Sequence, residues 1–65
     1  MNLTYNEILK LKGKVLENTN SNSAEFGRTF KVTSSTNKNV VLNNGITIKT
    51  TIFFETRQND FKLLP

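Results

Sequence analysis

An Asn-Gly pair at positions 44 and 45 constrains the fold of this chain more than any other feature. Residues 40–42 before it and residues 46–54 after it are rich in β-branched and aromatic side chains. Asn-Gly between two such runs is a strong hairpin signal, because a type I′ turn needs positive φ at both central residues. The sequence therefore predicts an antiparallel β-hairpin over residues 40–54 that turns at Asn44-Gly45.

The second arm of this hairpin alternates with a period of two. Its apolar face carries Ile46, Ile48, Ile52 and Phe54. Lys49 and Phe53 fall on the opposite face, toward solvent. The period and the β-branched content favour a strand with its apolar face toward the core. The alternative is a helix that begins after Thr50 or Thr51, with either threonine as N-cap, and returns Phe53 to the core.

A short helix is predicted over residues 4–12. Thr4 stands three residues before Glu7, the spacing of a capping box, and Gly13 is a plausible stop. Lys10, Lys12 and Lys14 alternate with apolar residues, so a strand over residues 9–16 competes with this helix. If the helix forms, residues 15 and 16 would begin a first short strand.

The remaining elements complete an α+β fold, with a short N-terminal helix followed by a three-stranded antiparallel meander over residues 26–34, 40–42 and 46–54. Residues 18–24 predict a loop, since the asparagines read as turn formers that bond their own backbone. Residues 61–64 predict a last strand or a helical turn. With the first short strand, a last one would give five strands, enough for a small barrel of the SH3 or OB type. In the open version the helix packs on a face that carries Phe30, Val32, Ile46, Ile48 and Ile52.

The chain of 65 residues predicts a single small domain over residues 1–65. It contains no Cys and no His, which removes disulfides and the commonest zinc ligands. Its start shows no signal peptide, and its longest apolar run, residues 52–54, cannot span a membrane. We expect a soluble, cytoplasmic protein with no metal and no membrane partner.

Enzyme activity is not expected from this composition. The commonest general base and the best nucleophile are both absent, and the five carboxylates show no acid/base spacing. The three glycines form no phosphate-binding loop of the nucleotide-binding types. We therefore expect no catalytic residues and no cofactor.

The formal net charge of +4 instead indicates affinity for polyanions. Lys31 and Lys49 are predicted on the outer face of the sheet, where Thr33, Thr47 and Thr51 would surround them. Lysine and threonine together can contact a phosphate backbone, and arginine can add bidentate contacts. The candidate nucleic-acid-binding residues are Lys31, Lys49, Lys38 and Arg28, with Lys10, Lys12 and Lys14 as a second patch.

Two alternatives remain open from the sequence. The lysines and threonines are also what the ordinary solvated face of an antiparallel sheet carries. An outward Phe53 would suit a protein-interaction module or a homodimer, unless Phe61 and Leu64 cover its ring. Tyr5 and Phe26 are expected in the core, which leaves weak support for a platform of stacking rings.

Overall fold

The computed structural model describes residues 1–65 as five strands, two short α-helices and one 3₁₀ helix. In chain order these are α1 (Tyr5–Ile8), β1 (Val15–Asn18), β2 (Thr29–Ser35), β3 (Asn39–Leu42), β4 (Thr47–Lys49), α2 (Thr50–Glu55), the 3₁₀ helix Arg57–Asp60 and β5 (Phe61–Leu63). This content is that of an α+β protein.

The strands form one antiparallel sheet in the order β4-β3-β2-β1-β5. The two flanking strands that the sequence left open are both present, as β1 and β5, so the sheet has five strands and not three. No pairing joins β4 to β5, so the sheet is open and the five strands do not close into the small barrel that was one of the two alternatives. A bulge between Val32 and Ser34 shifts the register of β2 against β3.

The predicted capping box starts α1. The Glu7 backbone N–H donates to the Thr4 hydroxyl at 3.2 Å, and the Thr4 N–H donates back to the Glu7 carboxylate at 2.9 Å. The helix ends at Ile8, earlier than the predicted residue 12. The backbone hydrogen bonds that follow join residues three apart, as in a 3₁₀ turn, and the Leu11 N–H donates to the Ile8 carbonyl. Leu11 is thereby buried beside Ile8. The competing strand over residues 9–16 is wrong before Val15.

The predicted hairpin between β3 and β4 is present, with Val40 opposite Ile48. Its turn differs from the predicted type I′. Gly45 has a φ of +88°, but no non-glycine residue has positive φ, so Asn44 cannot occupy a type I′ position. The Gly45 N–H donates to the Leu42 carbonyl at 2.9 Å. The chain therefore makes a turn with negative φ at Asn44 and uses Gly45 for the single left-handed residue.

The far end of the hairpin is helical. β4 stops at Lys49, and α2 takes up residues 50–55, so the predicted long strand over residues 46–54 is wrong and its helical alternative is confirmed. No side chain caps α2, and neither threonine is its N-cap; the Thr50 hydroxyl instead donates to the Thr36 carbonyl. The helix turns Phe53 inward, where its ring stacks on Phe61 with centroids 6.0 Å apart.

The core contains ten buried apolar residues: Ile8, Leu11, Leu16, Phe30, Val32, Val40, Leu42, Ile48, Phe53 and Phe61. Three residues predicted to face inward, Ile46, Ile52 and Phe54, are exposed instead. Ile46 lies in the hairpin turn, outside β4, and the rotation of α2 accounts for the other two. Phe26 is also exposed, because β2 begins only at Thr29 and leaves Phe26 in the preceding loop.

The loop between β1 and β2 is held by asparagine side chains, as predicted. Asn18 Oδ1 accepts the Asn20 N–H, and Asn20 Oδ1 accepts the Asn22 N–H, both at 2.9 Å. The Asn20 side chain also donates to Asp60 at 3.0 Å. These side-chain bonds tie the loop to the end of the 3₁₀ helix.

Candidate nucleic-acid interface

Lys31 and Lys49 lie on the outer face of the sheet, as predicted, but far apart. Lys49 pairs with Asn39 at one end of β3, whereas the Lys31 carbonyl accepts the N–H of Asn43 beyond its other end. Four residues of strand rise and two strand spacings put their Cα atoms on the order of 16 Å apart. At that separation, about two screening lengths at physiological salt, the two lysines do not form one patch.

Lys31 also stands in a mixed-charge environment. Its cross-strand partner on β1 is Val15. Glu17 lies two residues further along β1 and is itself the direct partner of Lys62 on β5. Diagonal neighbours on one sheet face are about 7–8 Å apart, within reach of long side chains. The middle of the outer face is therefore close to an ordinary solvated sheet surface. Of the three predicted threonine neighbours, Thr33 and Thr47 are on strands, but Thr51 is in α2.

Both arginines are paired with nearby carboxylates. Arg28 bonds Glu25 at 2.9 Å, and Arg57 bonds Asp60 at 3.1 Å. The predicted role of Arg28 in bidentate phosphate contacts would require this pair to open. By contrast, every lysine is exposed, and none lies within ion-pair distance of a carboxylate.

Three lysines have their backbones in or next to the turn between β2 and β3, residues 36–38. Lys38 is in the turn, and the Lys49 Cα is the partner of Asn39 immediately after it. The Lys12 backbone N–H donates to the hydroxyl of Ser35, immediately before it, at 3.1 Å. We call Lys12, Lys38 and Lys49 the turn lysines.

The turn itself is firmly held. The Thr36 hydroxyl accepts the backbone N–H groups of Lys38 and Asn39, and the Thr50 N–H donates to the Lys38 carbonyl at 3.0 Å. The start of α2, the end of β2 and the segment after α1 therefore meet here. This meeting fixes the backbones of the turn lysines relative to one another.

Lys10 and Lys14, predicted in the same patch as Lys12, line a separate groove of about 220 Å³. Its lining residues are Leu3, Glu7, Lys10, Leu11, Lys14 and Leu63. The Glu7 carboxyl has a lowered pKa, chiefly because it accepts the Thr4 backbone N–H, and in smaller part because of the Thr4 hydroxyl and the nearby Lys10 charge. The Glu7 carboxylate therefore offsets part of the positive charge of this groove.

The exposed aromatic residues are not the ones that the sequence indicated. Phe53 is fully buried and Phe61 nearly so, which removes both from a stacking platform and from a surface patch. The exposed rings are Phe26 and Phe54, and the Phe54 ring packs edge-to-face with Tyr5 at a centroid distance of 5.8 Å.

The sequence around the turn lysines is free of acidic residues. No Asp or Glu occurs between Glu25 and Glu55, and none between Glu7 and Glu17. All three turn lysines fall within these two acid-free segments, as do Lys10, Lys14 and Lys31, and only the folded chain brings Lys12 next to the β2–β3 turn. Local spacing carries no information about that juxtaposition.

No group of three or more potential metal-ligating side chains gathers anywhere in the structure, and no helix has the length and apolar character of a membrane span. Comparison of the chain with protein-family models, curated proteins and solved structures found no match.

Proposed function

We propose that this protein is a small, basic, non-enzymatic protein that binds nucleic acid through phosphate contacts made by the turn lysines. Thr47, exposed on the strand that ends at Lys49, offers a hydroxyl donor nearby, whereas the Thr33 hydroxyl already donates to the Val41 carbonyl at 3.2 Å. The proposed centre of the interface thus moves from the middle of the sheet, where the sequence put it, to the end at the β2–β3 turn.

The main support for the proposal is that three exposed lysines on a fixed turn form no ion pair and have no Asp or Glu within four residues in the sequence. Other basic groups have a carboxylate as a partner or neighbour: Arg28 bonds Glu25, Lys62 is the cross-strand Cα partner of Glu17, and Lys10 and Lys14 share a groove with Glu7. Uncompensated lysines on a rigid frame attract phosphate and release its counterions on binding. The groups that form no ion pair are lysines, which contact phosphates as point charges and do not read base sequence. We therefore expect weak sequence preference.

A pair of matched triple variants tests this assignment. Lys12→Gln, Lys38→Gln and Lys49→Gln together remove the turn lysines, and Lys10→Gln, Lys14→Gln and Lys62→Gln remove three lysines elsewhere. Each set lowers the formal net charge by three, from +4 to +1. Binding of mixed-sequence DNA and RNA is measured at about 50 mM and 200 mM salt, where phosphate contacts change strength most visibly.

The first variant is expected to lose on the order of tenfold more affinity than the second at low salt. Equal losses would show that overall charge alone drives binding and would remove the assigned interface. Failure of the wild-type chain to bind any nucleic acid at low salt would exclude the function itself.

A second candidate function, a protein-interaction module, is favoured by the free edge of β5. The Leu64 N–H bonds the Val15 carbonyl at 2.9 Å, so the antiparallel ladder directs the N–H and C=O of Leu63 away from β1. The Met1 ammonium already covers the Phe61 carbonyl on that edge, at 2.8 Å. The Leu63 side chain lines the groove beside Lys10 and Lys14. An extended acidic segment of another protein would fit there by adding a strand.

Two measurements distinguish binding of another protein at this edge from the predicted homodimer. Sedimentation of the pure chain reports self-association, which a net charge of +4 on each copy opposes. Amide shifts of Leu63 and its neighbours on addition of a peptide that alternates leucine and glutamate report strand addition. Unchanged shifts would exclude this edge as a docking site.

A further inference from the structure

Two aromatic rings lie at the surface beside the proposed interface. Phe54 is 37% exposed, although its neighbour Phe53 is fully buried. Tyr5 is half-buried and meets Phe54 at an interplanar angle of 86°. This edge-to-face pair leaves ring surface open to solvent, because neither residue belongs to the buried core.

The aromatic pair adjoins the turn between β2 and β3. The Tyr5 hydroxyl lies 3.5 Å from the Asn37 carbonyl oxygen, at the long end of hydrogen-bond distance, and Asn37 is in the turn next to Lys38. Phe54 lies one helical turn after Thr50, whose N–H bonds the Lys38 carbonyl. Tyr5 and Phe54 are therefore both fixed to the same turn as the lysines, from α1 and α2.

Exposed rings next to uncompensated lysines suit one class of ligand in particular. In a single strand, the bases are free to stack on aromatic faces while lysines follow the phosphates. A duplex hides its base faces and offers only phosphates and groove edges to such a surface. A protein partner has less reason to select this surface, since the turn lysines would need matching carboxylates.

We propose that the surface formed by Tyr5, Phe54 and the turn lysines binds single-stranded nucleic acid in preference to duplex, with a base stacked on Phe54. This inference rests on the proposed nucleic-acid binding and adds the class of strand that is bound. Loss of stacking on one base is expected to weaken binding roughly tenfold.

The variant Phe54→Leu removes the ring and keeps an apolar side chain. Phe26→Leu is the matched control, because Phe26 is 58% exposed but lies in the loop between β1 and β2. Each chain is titrated with a single-stranded thymidine oligonucleotide of about 15 nucleotides and with a duplex of equal length, at about 50 mM salt. Tyr5 is the only tyrosine and the chain has no tryptophan, so its fluorescence in the wild-type protein reports the site directly.

We expect the wild-type chain to bind the single strand more tightly than the duplex, with quenching of Tyr5 fluorescence. Phe54→Leu is expected to lose about tenfold for the single strand and little for the duplex, while Phe26→Leu changes neither. Equal affinity for both ligands, or unchanged Tyr5 fluorescence in the complex, would overturn the inference but leave the lysine interface standing. Absence of binding to either ligand would overturn the proposed function as well.

Discussion

The hydroxyl of Thr50 donates a hydrogen bond to the backbone carbonyl oxygen of Thr36. Thr50 is fully buried, and its backbone N–H bonds the Lys38 carbonyl in the same turn. These two bonds join the start of α2 to the turn between β2 and β3. They hold the turn that carries Lys38.

Removal of the Thr50 hydroxyl should therefore loosen the turn. Thr50→Val keeps the shape of the side chain but leaves the Thr36 carbonyl without that donor. We expect a loss of about 1–3 kcal/mol in the free energy of unfolding, measured by urea titration. Thr51→Val, at the exposed neighbouring position, should change it by no more than about 0.5 kcal/mol. Equal effects at the two positions would contradict the assigned hydrogen bond.

The direction of Phe53 and Phe54 distinguishes helix α2 from a continued strand. In the helix, Phe53→Leu removes part of a buried ring that stacks on Phe61, and we expect a cost of about 1–2 kcal/mol. Phe54→Leu should cost less than about 1 kcal/mol, because Phe54 is partly exposed. Thermal unfolding of the two variants measures the difference. The opposite order would support the strand that the sequence predicted.

The turn of the hairpin should depend on Gly45 and tolerate change at Asn43. Gly45 has a φ of +88°, and a Cβ there would meet no atom within 4 Å. Gly45→Ala therefore suffers only the backbone penalty for a left-handed residue, about 1–2 kcal/mol. Asn43→Ala, at a position with negative φ, should remain within about 0.5 kcal/mol of the wild type in urea titration. A neutral Gly45→Ala would show that the turn is formed differently.

The capping box predicts a dependence of α1 on acid pH. Hydrogen bonds from Thr4 lower the pKa of Glu7 below its value in the unfolded chain. A group whose pKa is lowered on folding stabilises the fold above its unfolded pKa, and that contribution is lost as pH falls through the folded pKa. The Thr4 amide shift and the thermal midpoint should both follow this acid transition.

Glu7→Gln should abolish the transition at Thr4, since the amide side chain does not titrate in this range. Glu55→Gln, which removes one carboxylate from α2 and leaves the capping box intact, is the charge-matched control and should retain it. A Thr4 amide shift that stays constant from neutral to acid pH in the wild-type chain would rule out the capping role of Glu7.

The local parts of the fold could be predicted from the sequence. The Thr4–Glu7 spacing and the Asn-Gly pair work through bonds within a few residues, and both the capped helix and the hairpin are present. The extent of β4 could not be predicted, because the period of two in residues 46–54 favours a strand. Tertiary contacts override that local preference, since Phe53 is buried against Phe61, eight residues further along the chain.

The candidate site was predicted only in its residue types. Lys38, Lys49 and Lys12 were among the sequence candidates, but their convergence depends on the pairing order of the strands and on the bond from Lys12 to Ser35. The role of Phe54 was missed, because the strand interpretation turned its ring inward. Sequence spacing assigns a ring to the exposed or the buried face only when the element is correctly identified as a helix or a strand. Here the element containing Phe54 was predicted as a strand and is a helix.

Contact between the turn lysines and phosphates should make the affinity for a single strand depend on salt concentration. The logarithm of the binding constant falls linearly with the logarithm of the salt concentration. Each phosphate contact removed should make that line less steep by about 0.7 for a single strand. We predict that Lys38→Gln makes the line less steep by about that amount. Lys62→Gln should leave the steepness unchanged, because Lys62 on β5 faces Glu17 on β1. Equal slopes for the wild type and Lys38→Gln would show that Lys38 contacts no phosphate.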